Sequence, residues 1–180
     1  EPYAGLLAEG AEGCFGFFTY GDYINDTASL FNTPVCGINT KCLTENSSKA
    51  SEGRFVIYSG SWDYAPGGFV QKSPAGFAAM GLEEKSLGDM YAELSIRREG
   101  GGGWAGMGFH LQDPATPESG YLLRLYSDNR LELAKGDTVL SCCKVPEELF
   151  CLNTLRLCVQ WINGVVTVNA GLRSRVLFQL

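Results

Sequence analysis

The sequence predicts an all-β protein, a two-sheet antiparallel β-sandwich or jelly roll, and three observations carry that expectation. Short segments alternate apolar and polar side chains with a period of two. Gly, Asn, Asp and Pro punctuate those segments at short intervals. No stretch repeats apolar residues at helical spacing, and Glu83–Met90 offers one helical turn at most. Composition agrees: 45% hydrophobic against 19% charged residues supplies a core rather than a disordered chain. The length of 180 residues fits one domain.

Residues 1–52 mix Gly, Asn, Ser and aromatics with three cysteines and little periodicity, apart from a strand-like Cys14–Tyr20. They are read as a loop-rich segment of the same domain, an arm or first layer closed by Cys36–Cys42. Residues 53–180 form the sandwich core. There Met90, Ala92, Leu94 and Ile96 alternate with Tyr91, Glu93, Ser95 and Arg97, the signature of a half-buried strand. Gly100–Gly103 is expected to turn the chain into a neighbouring antiparallel strand. In that strand Ala105, Met107, Phe109 and Leu111 face inward while Trp104, Gly106, Gly108 and His110 face outward. The loop 112–120 leads to Tyr121–Tyr126, and Asp128-Asn129 turns the chain into Arg130–Lys135. Leu155, Leu157, Val159 and Trp161 form a later inward row. Asn163-Gly164, which tolerates the positive φ of a two-residue turn, then joins it to Val165–Asn169. Arg175–Leu180 is a last strand.

Charge excludes one partner class. The net charge is −6 and the 14 basic residues are scattered, so nothing gathers to displace counterions from nucleic acid or to hold an anionic membrane surface. No apolar run reaches the roughly 20 residues a membrane-spanning helix needs. An opening at Glu1 with no apolar leader suits a mature secreted polypeptide and equally an excised domain.

Seven cysteines lie at positions 14, 36, 42, 142, 143, 151 and 158, without any Cys-x-x-Cys pair and far in sequence from the single His110. That spacing gives zinc no support and favours disulfides, with one thiol left free or shared between chains. Two sequons, Asn25-Asp26-Thr27 and Asn46-Ser47-Ser48, add to an extracellular, glycosylated expectation.

The run Gly106-Met107-Gly108-Phe109-His110, then Gly120–Leu125, Arg130–Lys135, Thr154–Leu157, Asn163-Gly164 and Val165–Asn169 resembles the concanavalin A-like lectin/glucanase superfamily, including laminin-G-like modules. The resemblance covers roughly residues 54–170. It implies a curved jelly roll whose concave sheet or edge loops bind glycans or proteins, sometimes with calcium.

Catalysis finds little support. The glucanase members of that superfamily carry a Glu-x-Asp-x-x-Glu strand, which this chain lacks. Its nearest strand carboxylates, Glu93 and Glu99, are separated by Arg97 and by the strand's end, whereas retaining hydrolysis needs two carboxyls about 5 Å apart. A Ser-His-Asp or Cys-His arrangement would have to use His110, and no Gly-x-Ser-x-Gly elbow exists. No phosphate-loop motif occurs, and Gly100–Gly103 leads into a strand rather than a helix.

A binding face fits better. Alternation gathers Tyr91, Glu93, Arg97, Trp104, His110, Arg124 and Tyr126, with a glycine trough at 106 and 108. Rings meet a sugar's C–H face while charged groups satisfy its hydroxyls. The competing reading is that Trp104 and Tyr126 pack beneath the N-terminal segment. Asp113, Glu118, Asp128 and Asn129 could offer loop oxygens to calcium, although acidic loops are usually just solvated. Val176–Phe178 either closes its own sheet or completes that of a neighbour. The sequence thus points to a non-catalytic extracellular recognition domain for a glycan or extracellular protein. A strand-donating subunit of a homo-oligomer or fibre is the alternative, and a glycan-active enzyme the third.

Overall fold

The computed structural model describes residues 14–20, 29–30, 33–37, 42–45, 55–65, 68–72, 76–82, 90–97, 102–162, 164–171 and 175–180. Both sequons and residues 83–89 of the candidate helical turn lie outside them, while Met90 begins a strand. Most of the described residues are in strands and few are helical, which makes the protein all-β. The helical part is two single turns, Pro117–Ser119 and Glu147–Leu149.

In chain order the strands are β1 (Cys14–Tyr20), β2 (Ser29–Leu30), β3 (Thr33–Gly37), β4 (Cys42–Glu45), β5 (Val56–Ser59), β6 (Trp62–Ala65), β7 (Gly68–Gln71), β8 (Phe77–Leu82) and β9 (Met90–Arg97). They continue with β10 (Trp104–Leu111), β11 (Tyr121–Tyr126), β12 (Arg130–Lys135), β13 (Thr138–Lys144), β14 (Phe150–Cys151), β15 (Thr154–Ile162), β16 (Val165–Ala170) and β17 (Arg175–Gln179). Seven make one sheet, in the order β13-β12-β11-β10-β1-β8-β5. The second follows β17-β16-β15-β9-β2-β7-β6, with β14 beside β15, β3 beside β9 and β4 beside β3.

The apolar alternation becomes the core between the two sheets. Ala92, Leu94 and Ile96 of β9, with Leu155, Leu157, Val159 and Trp161 of β15 and Val166, Val168 and Ala170 of β16, come from one sheet. Ala105, Met107 and Phe109 of β10, with Leu123 and Leu125 of β11 and Leu131 and Leu133 of β12, come from the other. Each of these strands hides one side from water, as a two-layer sandwich requires.

One pairing needs correction: β9 and β10 are not neighbours. β9 pairs with β15, β2 and β3, whereas β10 lies between β1 and β11, so the glycine-rich link joins one sheet to the other. The strand expected at Cys14–Tyr20 is β1, and it lies in the middle of the seven-stranded sheet, between β10 and β8. β10 is buried at every position, not half-buried. The last strand, β17, pairs with β16, and Leu180 and Val166 exchange two backbone hydrogen bonds of 2.9 Å beyond it. In this chain it therefore closes its own sheet.

His110 breaks the alternation. Gly16 pairs with Gly108 and Cys14 with Leu111, so Phe109 and His110 together stand opposite Phe15 alone, a β-bulge. His110 has φ +50, and the register slip turns its ring inward, 4.4 Å from the ring of Trp161. Leu111 is displaced to a second cluster, with Ala79, Trp104 and Leu122. Gly120 permits the close approach. A Cβ there would lie 2.6 Å from the His110 carbonyl oxygen.

Turn chemistry explains the hairpins. Ile162 pairs with Val165, leaving two residues between them, the second being Gly164 at φ +78. Ser127-Asp128-Asn129 joins β11 to β12, with Asn129 left-handed at φ +66. Asn129 also donates from Nδ2 to Glu147 Oε1 at 2.5 Å, tying this turn to the one after β13. Between β14 and β15 the turn is Leu152-Asn153, at φ +48 and +62, and Leu152 is 90% exposed. A branched side chain in that backbone region costs about 1 kcal/mol and here buries almost nothing.

These two left-handed sites should respond oppositely in urea denaturation. Leu152→Asn is expected to stabilise the protein by about 1 kcal/mol, since Asn suits this turn. Asn129→Ala should destabilise it by about 2 kcal/mol, losing both the conformational fit and the hydrogen bond to a carboxylate.

Candidate functional site

The outer face of the seven-stranded sheet carries a graded pattern set by register. One row runs Phe77, Tyr20, Trp104 and Tyr126 across β8, β1, β10 and β11. The next runs Ala79, Phe18, Gly106, Arg124, Glu132 and Cys142, reaching β13. The third is Gly81, Gly16, Gly108, Leu122 and Ala134. Residue size thus falls from aromatic positions at one end to glycine at the other. At Gly106 no side chain is tolerable, because a Cβ would collide with the backbone carbonyl of Leu123.

Charge concentrates where β11 meets β12. Arg124 and Glu132 stand directly opposite, and their Nη2 and Oε2 atoms are 3.1 Å apart. Arg130, two residues before Glu132 and so on the same face, engages the other carboxylate oxygen, Oε1, through Nη1. Glu132 is only 5% exposed, and such a buried carboxylate persists because both oxygens are paired. The Arg130 guanidinium lies 3.9 Å from the centre of the Tyr126 ring, and that of Arg124 lies 5.9 Å from the rings of both Trp104 and Tyr126. Arg124 Nε is buried and meets no hydrogen-bond acceptor among the described residues. Burial and a hydrogen bond to Glu132 raise the Tyr126 phenol above its ordinary range.

The seven expected ligand-binding residues therefore divide. Trp104, Arg124 and Tyr126 come together on this face. Tyr91, Glu93 and Arg97 belong to β9 in the other sheet, where their backbones pair with Gln160, Cys158 and Thr154. Arg97 is exposed there. His110 is 3% exposed, inside the sandwich among the rings of Phe109, Tyr121 and Trp161. Trp104 keeps only 8% of its surface, so it backs the cluster instead of offering a platform. Arg130 and Glu132 escaped sequence reasoning. The available signal was their i, i+2 spacing on a strand that follows Arg124 across a short turn.

The four loop residues considered for calcium do not converge. Asp113 and Glu118 precede β11 and Asp128 and Asn129 follow it, so a six-residue strand of roughly 17–20 Å separates the pairs. Asp113 is occupied locally, accepting from the Ala115 amide at 2.9 Å and the Thr116 hydroxyl at 2.8 Å, and these bonds hold its carboxyl below the ordinary range. Glu118 is exposed on the Pro117–Ser119 turn. Asp128 accepts from the Arg130 amide at 3.1 Å. Among the described residues no three His, Cys, Asp or Glu side chains gather around a metal-sized space.

No disulfide is found among the described residues, where Cys142, Cys143 and Cys151 are thiols. In backbone register Cys142, Cys143, Cys151 and Cys158 pair with Glu132, Leu131, Thr154 and Asn169. Adjacent Cys142 and Cys143 also fall on opposite faces of β13. Burial, together with neighbouring Cys142, raises the Cys143 thiol above its usual range. Cys36 and Cys42 occupy directly opposed positions in the β3–β4 hairpin. Among the described residues no helix is long and apolar enough to cross a membrane. No family model, curated protein or solved structure matches the chain.

The Tyr126 environment gives a titration test. A phenol raised in the folded state adds stability that is complete below the unfolded tyrosine value, near 10, and is lost as pH climbs through the folded value. Ultraviolet titration should show one phenol ionising late, and Tyr126→Phe should remove that late step. A profile unchanged by the substitution would show that Tyr126 is not the phenol that ionises late.

Proposed function

We propose that this protein is a non-catalytic recognition domain that binds a carbohydrate at the β11–β12 end of the seven-stranded sheet. The carrying observation is the stack of Arg130 on Tyr126 beside the doubly paired Glu132. The half-exposed Tyr126 ring supplies apolar contact for a sugar's C–H face, and the exposed Arg130 supplies fixed donors for hydroxyls or ring substituents. Glu132 orients both guanidinium groups and, with each oxygen committed, serves as a brace rather than an acid or base. The single histidine is enclosed by rings, which supports reading the domain without a histidine-dependent nucleophile.

The extracellular setting belongs to the same proposal and rests on the two sequons and the opposed positions of Cys36 and Cys42. The concanavalin A-like kinship rests on the two-sheet architecture and the β15–β16 hairpin alone. Assembly by strand donation is less well supported, because β17 would first have to leave β16.

A glycan array probed with the whole chain tests this reading. Binding to a defined sugar set is expected, about tenfold weaker for Tyr126→Ala and unchanged by EDTA. Silence on every glycan would overturn the proposal.

A further inference from the structure

We infer that His110 and Leu111 form a proton-driven switch: proton uptake by the enclosed imidazole straightens the β10 bulge, sending His110 to the outer face and Leu111 into the core. The observed state opposes the alternation of its own strand. After Ala105, Met107 and Phe109, regular alternation would put Leu111 between the sheets and His110 outside. The bulge reverses the two, and it holds His110 at φ +50, a backbone region costly for any residue but glycine. Without the bulge Phe109 would stand opposite Phe15, and His110 opposite Cys14. Beside Gly108 on its own strand and Gly120 across β11, the outward ring would have room. One segment thus has two packings that differ by a single residue of register.

The proton distinguishes the two packings. Inward, His110 is 3% exposed, and its ring centre lies 6.0, 6.4 and 4.4 Å from those of Phe109, Tyr121 and Trp161. Desolvation among those rings disfavours a charged imidazole. Tyr121 brings a phenol from β11, and Lys135 of β12, itself a cation, lies 5.0 Å from the centre of the Tyr121 ring. Trp161, from β15, adds no titratable group, and Cys14 of β1 stands opposite Leu111. Asp113 and Glu118, on the loop that follows, are exposed, and Asp113 bonds Ala115 and Thr116 of that loop. The swap would also withdraw Leu111 from its cluster with Ala79, Trp104 and Leu122, and Trp104 is a ring beside Arg124. Acid would thereby loosen the packing behind the candidate site.

Proton NMR on the full chain reads the switch directly, because the sequence holds a single histidine. At about pH 7.5 the His110 ring protons should carry the ring-current shift of the neighbouring Trp161. As the pH is lowered to about 5.5 that shift should vanish in step with proton uptake, while the Leu111 methyl signals move and the chain stays folded. A ring signal that stays put over this range, one that titrates near about pH 6.5 while keeping its shift, or unfolding of the whole domain with no folded acid form would each overturn the inference. Urea denaturation is an independent check. Below about pH 6.5 the unfolded chain takes up a proton that the inward ring refuses. Stability therefore falls with pH, about tenfold in the folding constant per pH unit, until the outward form takes over. His110→Gln should abolish that dependence, and a wild-type slope retained in the variant would overturn the inference as well.

Discussion

The placement of β1 between β8 and β10 holds the seven-stranded sheet together. Without that strand, β8 and β5 would be cut off from β10–β13, and β10 would be an edge. Its pairings join residues some sixty and ninety positions away in sequence, so this sheet is closed by non-local pairing, whose loop-closure cost precedes its reward. Two consequences reach the candidate site. The slip against Cys14–Gly16 sends His110 inward, and the pairing of Phe18 with Gly106 and Tyr20 with Trp104 fixes the register of the strand that carries Arg124 and Tyr126.

Much of the fold was legible because alternation is a local signal. The inward rows of β9 and β15 could be read directly, as could the two-residue turn before β16 and the limits of β1, β11 and β12. Alternation says which side of a strand avoids water; it does not say in which sheet the strand lies. That is why Tyr91, Glu93 and Arg97 were grouped with Trp104, although β9 and β10 belong to different layers of the sandwich. Nor does alternation reveal a bulge, because one extra residue changes backbone conformation without changing composition. His110 therefore read as a polar outward residue and is a core one. The arginine–glutamate cluster was half legible, Arg124 and Tyr126 being visible and their partners across the turn being missed.

Cysteine count pointed toward staples, and no disulfide is found among the described residues. Two sheets contribute a continuous core in which Trp161, Phe109, Met80, Leu94 and Ile96 are fully buried. A chain of this length hides enough apolar surface to be stable by burial alone, unlike small secreted domains that lack a core. The paired positions Cys36 and Cys42, by contrast, sit in a short hairpin at the margin of the second sheet, where a crosslink would have more to add.

The Glu132 cluster shows how a polar arrangement survives on a mostly buried face. A lone carboxylate there would be driven toward neutrality by desolvation, and a lone arginine would lose its hydration with no return. Two arginines on one carboxylate satisfy both of its oxygens, and Arg130 also lies within 4.0 Å of Asp128. Removing either arginine would leave Glu132 underpaired, so the cluster resists drift as a unit. The same bonds hold both guanidinium groups against the Tyr126 ring, so the cluster's geometry is set by pairings that also hold β11 to β12.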